Sequence, residues 1–369
     1  MTLRKNLLFL LLIITLIFSA CNTNTQPVHS EPIQENPSTP PPIVLTLTAV
    51  GDNLIHNTLS FDSRVENGYD FYPIYEKIAP KIQDSDLAII NQEVPLNGKI
   101  GSFPYLAAPQ EVATALKEIG FNVAVLSNNH IADQGIDGMI KTAEAFEANN
   151  FLAITGITKD NHIPDTGTII QLQGVKIGLL SYTYGLNTPI ANGYVNIIDE
   201  ARITNDVTLL REQCDFLLVS MHWGDEYQAN PNSYQKEYAK LLADLEVDLI
   251  LGHHPHVVQP LEWIIGETGH KTLCAYSLGN FVSNQHKLDT MLGGCLSTEL
   301  IFSPDGTFES FGNVTYSAVV THFSTKSRDF VIYPLEDYTD TLAAEHGLKN
   351  YDIAVTCNYF SDAFATVLP

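Results

Sequence analysis

The chain has 369 residues, 45% of them hydrophobic, which supplies a sizeable core and excludes wholesale disorder. Forty-two Asp and Glu stand against 19 Lys and Arg, a formal net charge of −23. That balance excludes a nucleic-acid partner, which needs a basic face to replace phosphate counterions, and leaves cation binding open.

In chain order, Arg4 and Lys5 precede an apolar run over residues 7–20 that ends in Phe18-Ser19-Ala20-Cys21. A positive start, a short apolar middle and small residues before a break predict a secretory signal over residues 1–20. Fourteen apolar residues fall short of the roughly 20 that a membrane span needs. The break resembles a bacterial lipobox with Cys21 as the lipidated residue, which places the protein outside the cytoplasm, anchored to the bacterial cell membrane by lipid. Residues 21–42 are rich in Pro, Thr, Asn and Gln and predict a disordered tether.

The folded part is expected over 43–325, with 326–369 as a C-terminal extension. Residues 43–50 form a β-branched strand, and a helix interrupted by Pro73 and Pro80 is expected over 69–83. A strand at 86–91, a helix at 109–119, a strand at 122–127 and a helix at 138–149 complete a β/α alternation that predicts a parallel sheet. A hairpin follows at 168–172 and 175–182. Helices at 200–213 and 233–245 then alternate with strands at 216–221 and 248–251. From 257 the pattern becomes hairpins, with strands at 261–265, 271–277, 295–302 and 308–317. The expected fold class is α/β, with two mixed sheets packed together and helices outside. Five cysteines, odd in number and without tight spacing, define no disulfide framework.

Six of the 12 histidines sit in four short motifs, each at the C-terminal end of a predicted strand, where α/β sheets bind ligands. Asp52 leaves the first strand after Gly51, with His56 four residues on. Glu93 closes the second strand in Asn91-Gln92-Glu93; a carboxylate desolvated there needs a partner. Asn129 and His130 follow the third, with Asp133 close by. His222 ends a later strand in His222-Trp223-Gly224-Asp225-Glu226. Gly252-His253-His254-Pro255-His256 places three imidazoles in four residues, which packing alone does not explain. Imidazole, carboxylate and amide ligands together suit Zn, Mn or Fe better than an all-oxygen Ca or Mg cage.

AVGDNLIH (49–56), NQEVPL (91–96), LSNNHIADQG (126–135), MHWGDEY (221–227), GHHPHVVQP (252–260) and YSLGNFV (276–282) resemble, in this order, the CapA (PgsA-type) poly-γ-glutamate capsule biosynthesis family. That family's domain is similar to the calcineurin-like metallophosphoesterases. The resemblance implies a four-layer α-β-β-α sandwich and two divalent metal ions. It implies metal ligands at Asp52, Glu93, Asn129, His222, His254 and His256, with His130 assisting the leaving group. His56, Asp133, Glu226 and His253 are further candidates for the site. Two features depart from the phosphoesterase pattern: no histidine stands two residues after Asp52, and Glu93 occupies the place of a metal-bridging aspartate. The implied role is synthesis, export or anchoring of poly-γ-glutamate, by hydrolysis or transfer or as a non-catalytic assembly factor. An extracellular phosphoesterase or nucleotidase is a further reading, in which Trp223, Tyr227 and Phe281 stack a base. Implied partners are poly-γ-glutamate or another anionic polymer, membrane-bound capsule synthase subunits, and the membrane itself.

Overall fold

The computed structural model describes residues 40–190, 193–326 and 329–368. The expected signal peptide, Cys21 and the expected tether up to residue 39 lie outside the described residues. Among the described residues no helix is long and apolar enough to cross a membrane.

Two mixed sheets carry the fold. In the larger, the strand order is Val331–Pro334, Phe308–His322, Leu292–Phe302, Ile43–Asn53, Leu87–Gln92, Val123–Val125 and Ala153–Thr155, with Asn280–Val282 added beside the end of Ile43–Asn53. In the smaller it is Leu261–Ile265, Lys271–Ala275, Leu249–His253, Phe216–His222, Val175–Thr183 and Thr168–Leu172. Each sheet joins parallel strands, fed by helical crossovers, to antiparallel strands closed by hairpins. In the smaller sheet Leu179, Leu218, Leu249 and Leu273 lie in one register across four strands.

The period-2 alternation of side chains decides the layering. Phe216, Leu218, Leu249 and Leu251 join the core shared with the larger sheet, to which Leu47, Ala49, Leu87 and Ile89 contribute. Leu217, Val219, Met221 and Ile250 point the other way. They pack with Ile203 and Val207 of helix Glu200–Arg211 and with Ala239 and Leu242 of helix Ser233–Asp244. Helix Ser233–Asp244 starts in a capping box between Asn232 and Gln235, which satisfies two orphan N–H groups. Two face-to-face mixed sheets with helices outside are the expected architecture.

Two expectations sharpen. The helix expected over 69–83, interrupted at Pro73 and Pro80, is two single turns, Tyr72–Tyr75 and Ala79–Ile82, each with a proline in its first turn. Pro80 lacks an N–H and its ring clashes with the carbonyl four residues back, so one continuous helix cannot form. The segment after 325 is no appendage. Val331–Pro334 extends the larger sheet, Phe330, Ile332, Phe360, Phe364 and Val367 enter the main core, and Leu261 N–H donates to the Val367 carbonyl at 3.1 Å. Cys214, Cys274, Cys295 and Cys357 are all free thiols.

Candidate metal centre

The parallel strands of both sheets end on one edge, and the candidate residues stand there. Asp52 ends the first strand, and Glu93, Asn129 and His130 lie just past two of its neighbours. His222 and His253 end adjacent strands of the other sheet and are paired in register. A glycine precedes the candidate residue, Asp52 or His253, in each sheet for the same steric reason. A Cβ on Gly51 would lie 1.9 Å from the Gly279 carbonyl oxygen, and one on Gly252 would lie 1.9 Å from that of Tyr276. Past His253 the chain turns through left-handed backbone at His254 (φ 94°) and His256 (φ 59°). Strain of this kind costs about 1–3 kcal/mol per residue and persists only where surrounding structure holds it. Here it folds three imidazoles into one turn.

Asp52, Glu93, His222, His253, His254 and His256 are all buried. Asp52 Oδ1 accepts from Asn91 Nδ2 at 2.8 Å, and Oδ2 lies 3.1 Å from His256 Nδ1. His253 Nδ1 is 3.2 Å from Oδ1 but off a hydrogen-bond line. The opposite nitrogen of His256, Nε2, faces Glu93 Oε1 at 3.6 Å, and His222 Nε2 faces the same oxygen at 3.9 Å. His222 Nε2 also lies 2.8 Å from Asn129 Oδ1. Asp52, Glu93 and His222 each offer one ligand atom, with all three atoms within 4.8 Å of one another; Glu226, His254 and His256 form a second such group.

The electrostatics are those of a site built around positive charge. Burial pushes the Glu93 carboxyl well above its usual range, and Asp52, Glu226 and Asp133 reinforce this against the opposing pull of His256. Burial also opposes ionisation of Asp52, but His253 and His256 overcome it and hold that carboxyl well below its ordinary value. His256 would be depressed by burial; Glu93 and Asp52 carry it up to about 9. Burial, then neighbouring imidazoles, pushes His222 well down and His254 down to about 4. Both Glu93 oxygens, Nδ1 of His222 and of His254, and both His253 nitrogens are buried without a hydrogen-bond partner. Unpaired buried polar atoms are rare because each costs about 1–3 kcal/mol. A divalent cation satisfies acceptor-only carboxylates and neutral imidazoles together, so the donor set fits one.

Around this centre the other candidates divide. His130 Nδ1 lies 2.7 Å from Asp133 Oδ2, which also accepts from Leu106 N–H at 3.0 Å. His56 is not in either ligand group: its Nδ1 accepts from Asn284 N–H at 3.1 Å, and burial lowers it to about 4. Trp223 and Phe281 are wholly buried. The Trp223 indole donates to the Tyr276 carbonyl, and Phe281 packs on Tyr75 and Phe121, so neither presents a face to a ligand.

Four participants carried no sequence signal of their own. Asn91 holds Asp52, and Asn280 Oδ1 lies 3.0 Å from His256 Nδ1. Tyr184 sets its ring 4.6 Å from that of His254. Asn187 donates its backbone N–H to the Asn129 carbonyl at 2.8 Å and places its amide nitrogen 3.3 Å from His130 Nε2. Only the quoted NQEVPL and YSLGNFV segments, which contain Asn91 and Asn280, pointed toward two of them.

A family model described as "Bacterial capsule synthesis protein PGA_cap" matches residues 46–285. "Capsule biosynthesis protein CapA" of Bacillus anthracis is 28% identical over 261 residues, 65% of this chain and 60% of that protein. The match therefore spans less than two thirds of that relative's length. "PGA biosynthesis protein CapA" of Bacillus subtilis (strain 168) is 29% identical over 279 residues, 72% of this chain and 70% of that protein. Among solved structures, a phosphatase from Mycoplasma pneumoniae aligns at TM-score 0.46 and 14% identity, covering 75% of this chain and 94% of that one. A putative 5'-nucleotidase from Staphylococcus aureus aligns at TM-score 0.47 and 12% identity, covering 87% and 58%.

Proposed function

The chain belongs to the bacterial capsule synthesis family PGA_cap, and we propose that it acts in the synthesis, export or anchoring of poly-γ-glutamate through a two-metal site. In this reading Cys21 carries lipid, the tether spans residues 21–42, and the domain works outside the cytoplasmic membrane. One metal is held by Asp52, Glu93 and His222 with Asn129, the other by Glu226, His254 and His256, with Zn, Mn or Fe as the ion. The carrying observation is the Glu93 carboxylate, buried between two histidines with neither oxygen paired.

Bound there, divalent ions supply Lewis acidity toward an amide carbonyl or phosphoryl oxygen. The chain's own residues orient the rest. Asp133 orients the His130 ring through Nδ1, and Nε2, which the Asn187 amide reaches at 3.3 Å, is the nitrogen that would exchange a proton with the leaving atom of the substrate. Asn187 ties that ring to the Asn129 turn. The side chain of His130 is slightly exposed while that of Asp133 is fully buried, so the pair reaches solvent through His130.

The test is metal analysis of the full chain, with hydrolysis of γ-glutamyl peptides and generic phosphoesters assayed alongside. The expected result is bound divalent metal and turnover of one substrate class, both lost in a Glu93→Gln/His254→Ala variant. Full metal loading with no turnover of either class would leave the second reading, a non-catalytic assembly factor for polymer or synthase. That reading draws on the first motif, where Leu54 stands two residues after Asp52 and offers no ligand. A nucleotidase reading is weaker, since two of its three base-stacking aromatics are sealed in the core.

A further inference from the structure

A chain of net charge −23 repels an anionic polymer, and its paired lysines do not relieve this. Lys81, Lys141, Lys159 and Lys240 all sit on carboxylates. Lys287 differs. It is exposed, makes no ion pair among the described residues, and holds its ammonium 3.0 Å from the centre of the Tyr227 ring. That ring centre is 6.1 Å from the ring of His256, so one aromatic side chain separates the cation from the metal-ligand cluster.

The placement is built from the site outward. Asn280, whose Oδ1 touches His256, donates through Nδ2 to Gln285 Oε1 at 2.9 Å and to the Thr290 carbonyl at 3.0 Å. Gln285 Nε2 donates to the Tyr227 hydroxyl at 3.3 Å, and Thr290 Oγ1 donates to the Lys287 carbonyl at 2.8 Å. Asn284 N–H donates to His56 Nδ1. Tyr227 is itself in left-handed backbone (φ 65°), pinned by its N–H to the Pro255 carbonyl at 2.8 Å. Two motifs far apart in sequence thus fix one lysine at the mouth of the centre. Of the acids close in sequence to Tyr227 and Lys287, Glu226 belongs to the second candidate ligand group, and Asp289 accepts from the Tyr359 hydroxyl.

We propose that Lys287, seated on Tyr227, is a subsite that binds an anionic group of the substrate one step out from the reacting bond. This rests on the polymer-directed reading above. A γ-linked glutamate chain carries one free carboxylate per residue, so a carboxylate adjacent to the reacting unit is always present; a phosphoryl oxygen satisfies the same chemistry.

The experiment is calorimetric titration of the metal-loaded full chain with a γ-glutamyl oligomer, with its α-carboxamide analogue, and with a phosphate monoester. Wild type, Lys287→Gln and Lys287→Arg are compared at two salt concentrations. For the carboxylate oligomer, Lys287→Gln is expected to weaken binding about three- to fivefold, the range of one exposed ion pair. It should flatten the salt dependence, leave the carboxamide analogue unaffected and leave metal content unchanged; Lys287→Arg should keep the affinity. Equal binding of the carboxylate oligomer by wild type and Lys287→Gln overturns the subsite and leaves the polymer reading standing. Weakened binding of the phosphate ester alone supports the subsite and overturns the polymer reading. No binding of any probe by wild type overturns both.

Discussion

Among the described residues, two groups of buried histidines are chemically opposite. In the candidate metal centre His222, His253 and His254 have nitrogens without hydrogen-bond partners, beside a carboxylate with no hydrogen bond to either oxygen. Under the C-terminal segment His322 and His346 are equally inaccessible but satisfied. His322 Nδ1 meets the Tyr338 hydroxyl at 3.0 Å. His346 Nε2 donates to the Thr321 carbonyl at 3.0 Å, and its Nδ1 accepts from Leu348 N–H at 3.1 Å. Burial lowers both members of the satisfied pair to about 4, as it lowers His254. Burial and a depressed pKa therefore do not mark function in this molecule. What sets the candidate centre apart is that unpaired atoms of several histidines converge on one carboxylate whose oxygens have no hydrogen bond, a desolvation cost that a cation can offset.

Substitution in each region should move a different observable. Glu93→Gln is isosteric with the protonated acid that burial favours in the metal-free protein. Stability in chelator should change by no more than about 1 kcal/mol, while metal affinity falls by at least about 100-fold, beyond the 10–100-fold typical of outer-shell partners. Equilibrium dialysis and denaturant melts separate the two effects. Next in size is His346→Ala. It strands the Thr321 carbonyl and the Leu348 N–H in the core and opens a cavity, so stability should fall by about 2–4 kcal/mol with metal stoichiometry unchanged. A large loss of metal in His346→Ala, or of chelated stability in Glu93→Gln, would erase the distinction.

Acid separates the regions further. His322 and His346 have folded pKa values near 4, below the ordinary 6.5. Between those values the unfolded chain binds protons that the native pair refuses. Their contribution is complete above about pH 6.5 and is lost as pH falls toward 4. The site histidines titrate as well, so the informative quantity is a slope difference. His322→Phe should show a shallower fall in denaturation midpoint than wild type between pH 7 and 4.5, both in chelator. Parallel curves would mean that the satisfied pair does not couple folding to protons.

What the sequence shows follows from how local each signal is. Asp52, Glu93, Asn129, His222 and His253 each stand at or just past the end of an apolar strand, so strand patterning and ligand chemistry are read in one short window. Asn280 and Lys287 reach His256 only through hydrogen bonds and ring contacts to distant segments, and no window contains both ends. The C-terminal segment is misread for a related reason. Its apolar residues are spaced by the partners they meet, Val367 against Leu261 and Val331–Pro334 against Phe308–His322, and not by a period of their own. The broken helix at Pro73 and Pro80 shows the converse case, where a local rule alone, the missing N–H and the ring of proline, decides the structure.

The smallest difference compares two tyrosines, one beside each histidine group. Tyr338 is buried and its hydroxyl is the partner of His322. Tyr184 is half-exposed and its ring covers His254; burial, then Glu226 and Glu93, push its phenol up to about 12 against the opposing pull of Asn129. Removing only the oxygen keeps both rings packed. Tyr338→Phe should cost about 1 kcal/mol of stability, the usual net value of a buried hydrogen bond, and leave metal affinity untouched. Tyr184→Phe should change stability by less than that, because water reaches the half-exposed phenol. Its effect should fall on metal affinity, lowered about two- to fivefold, since the phenol is the polar neighbour of Asn129, whose oxygen lies 2.8 Å from His222 Nε2. A stability loss in Tyr184→Phe equal to that of Tyr338→Phe, with metal affinity unchanged, would show that Tyr184 braces the fold like its counterpart and does not orient a ligand.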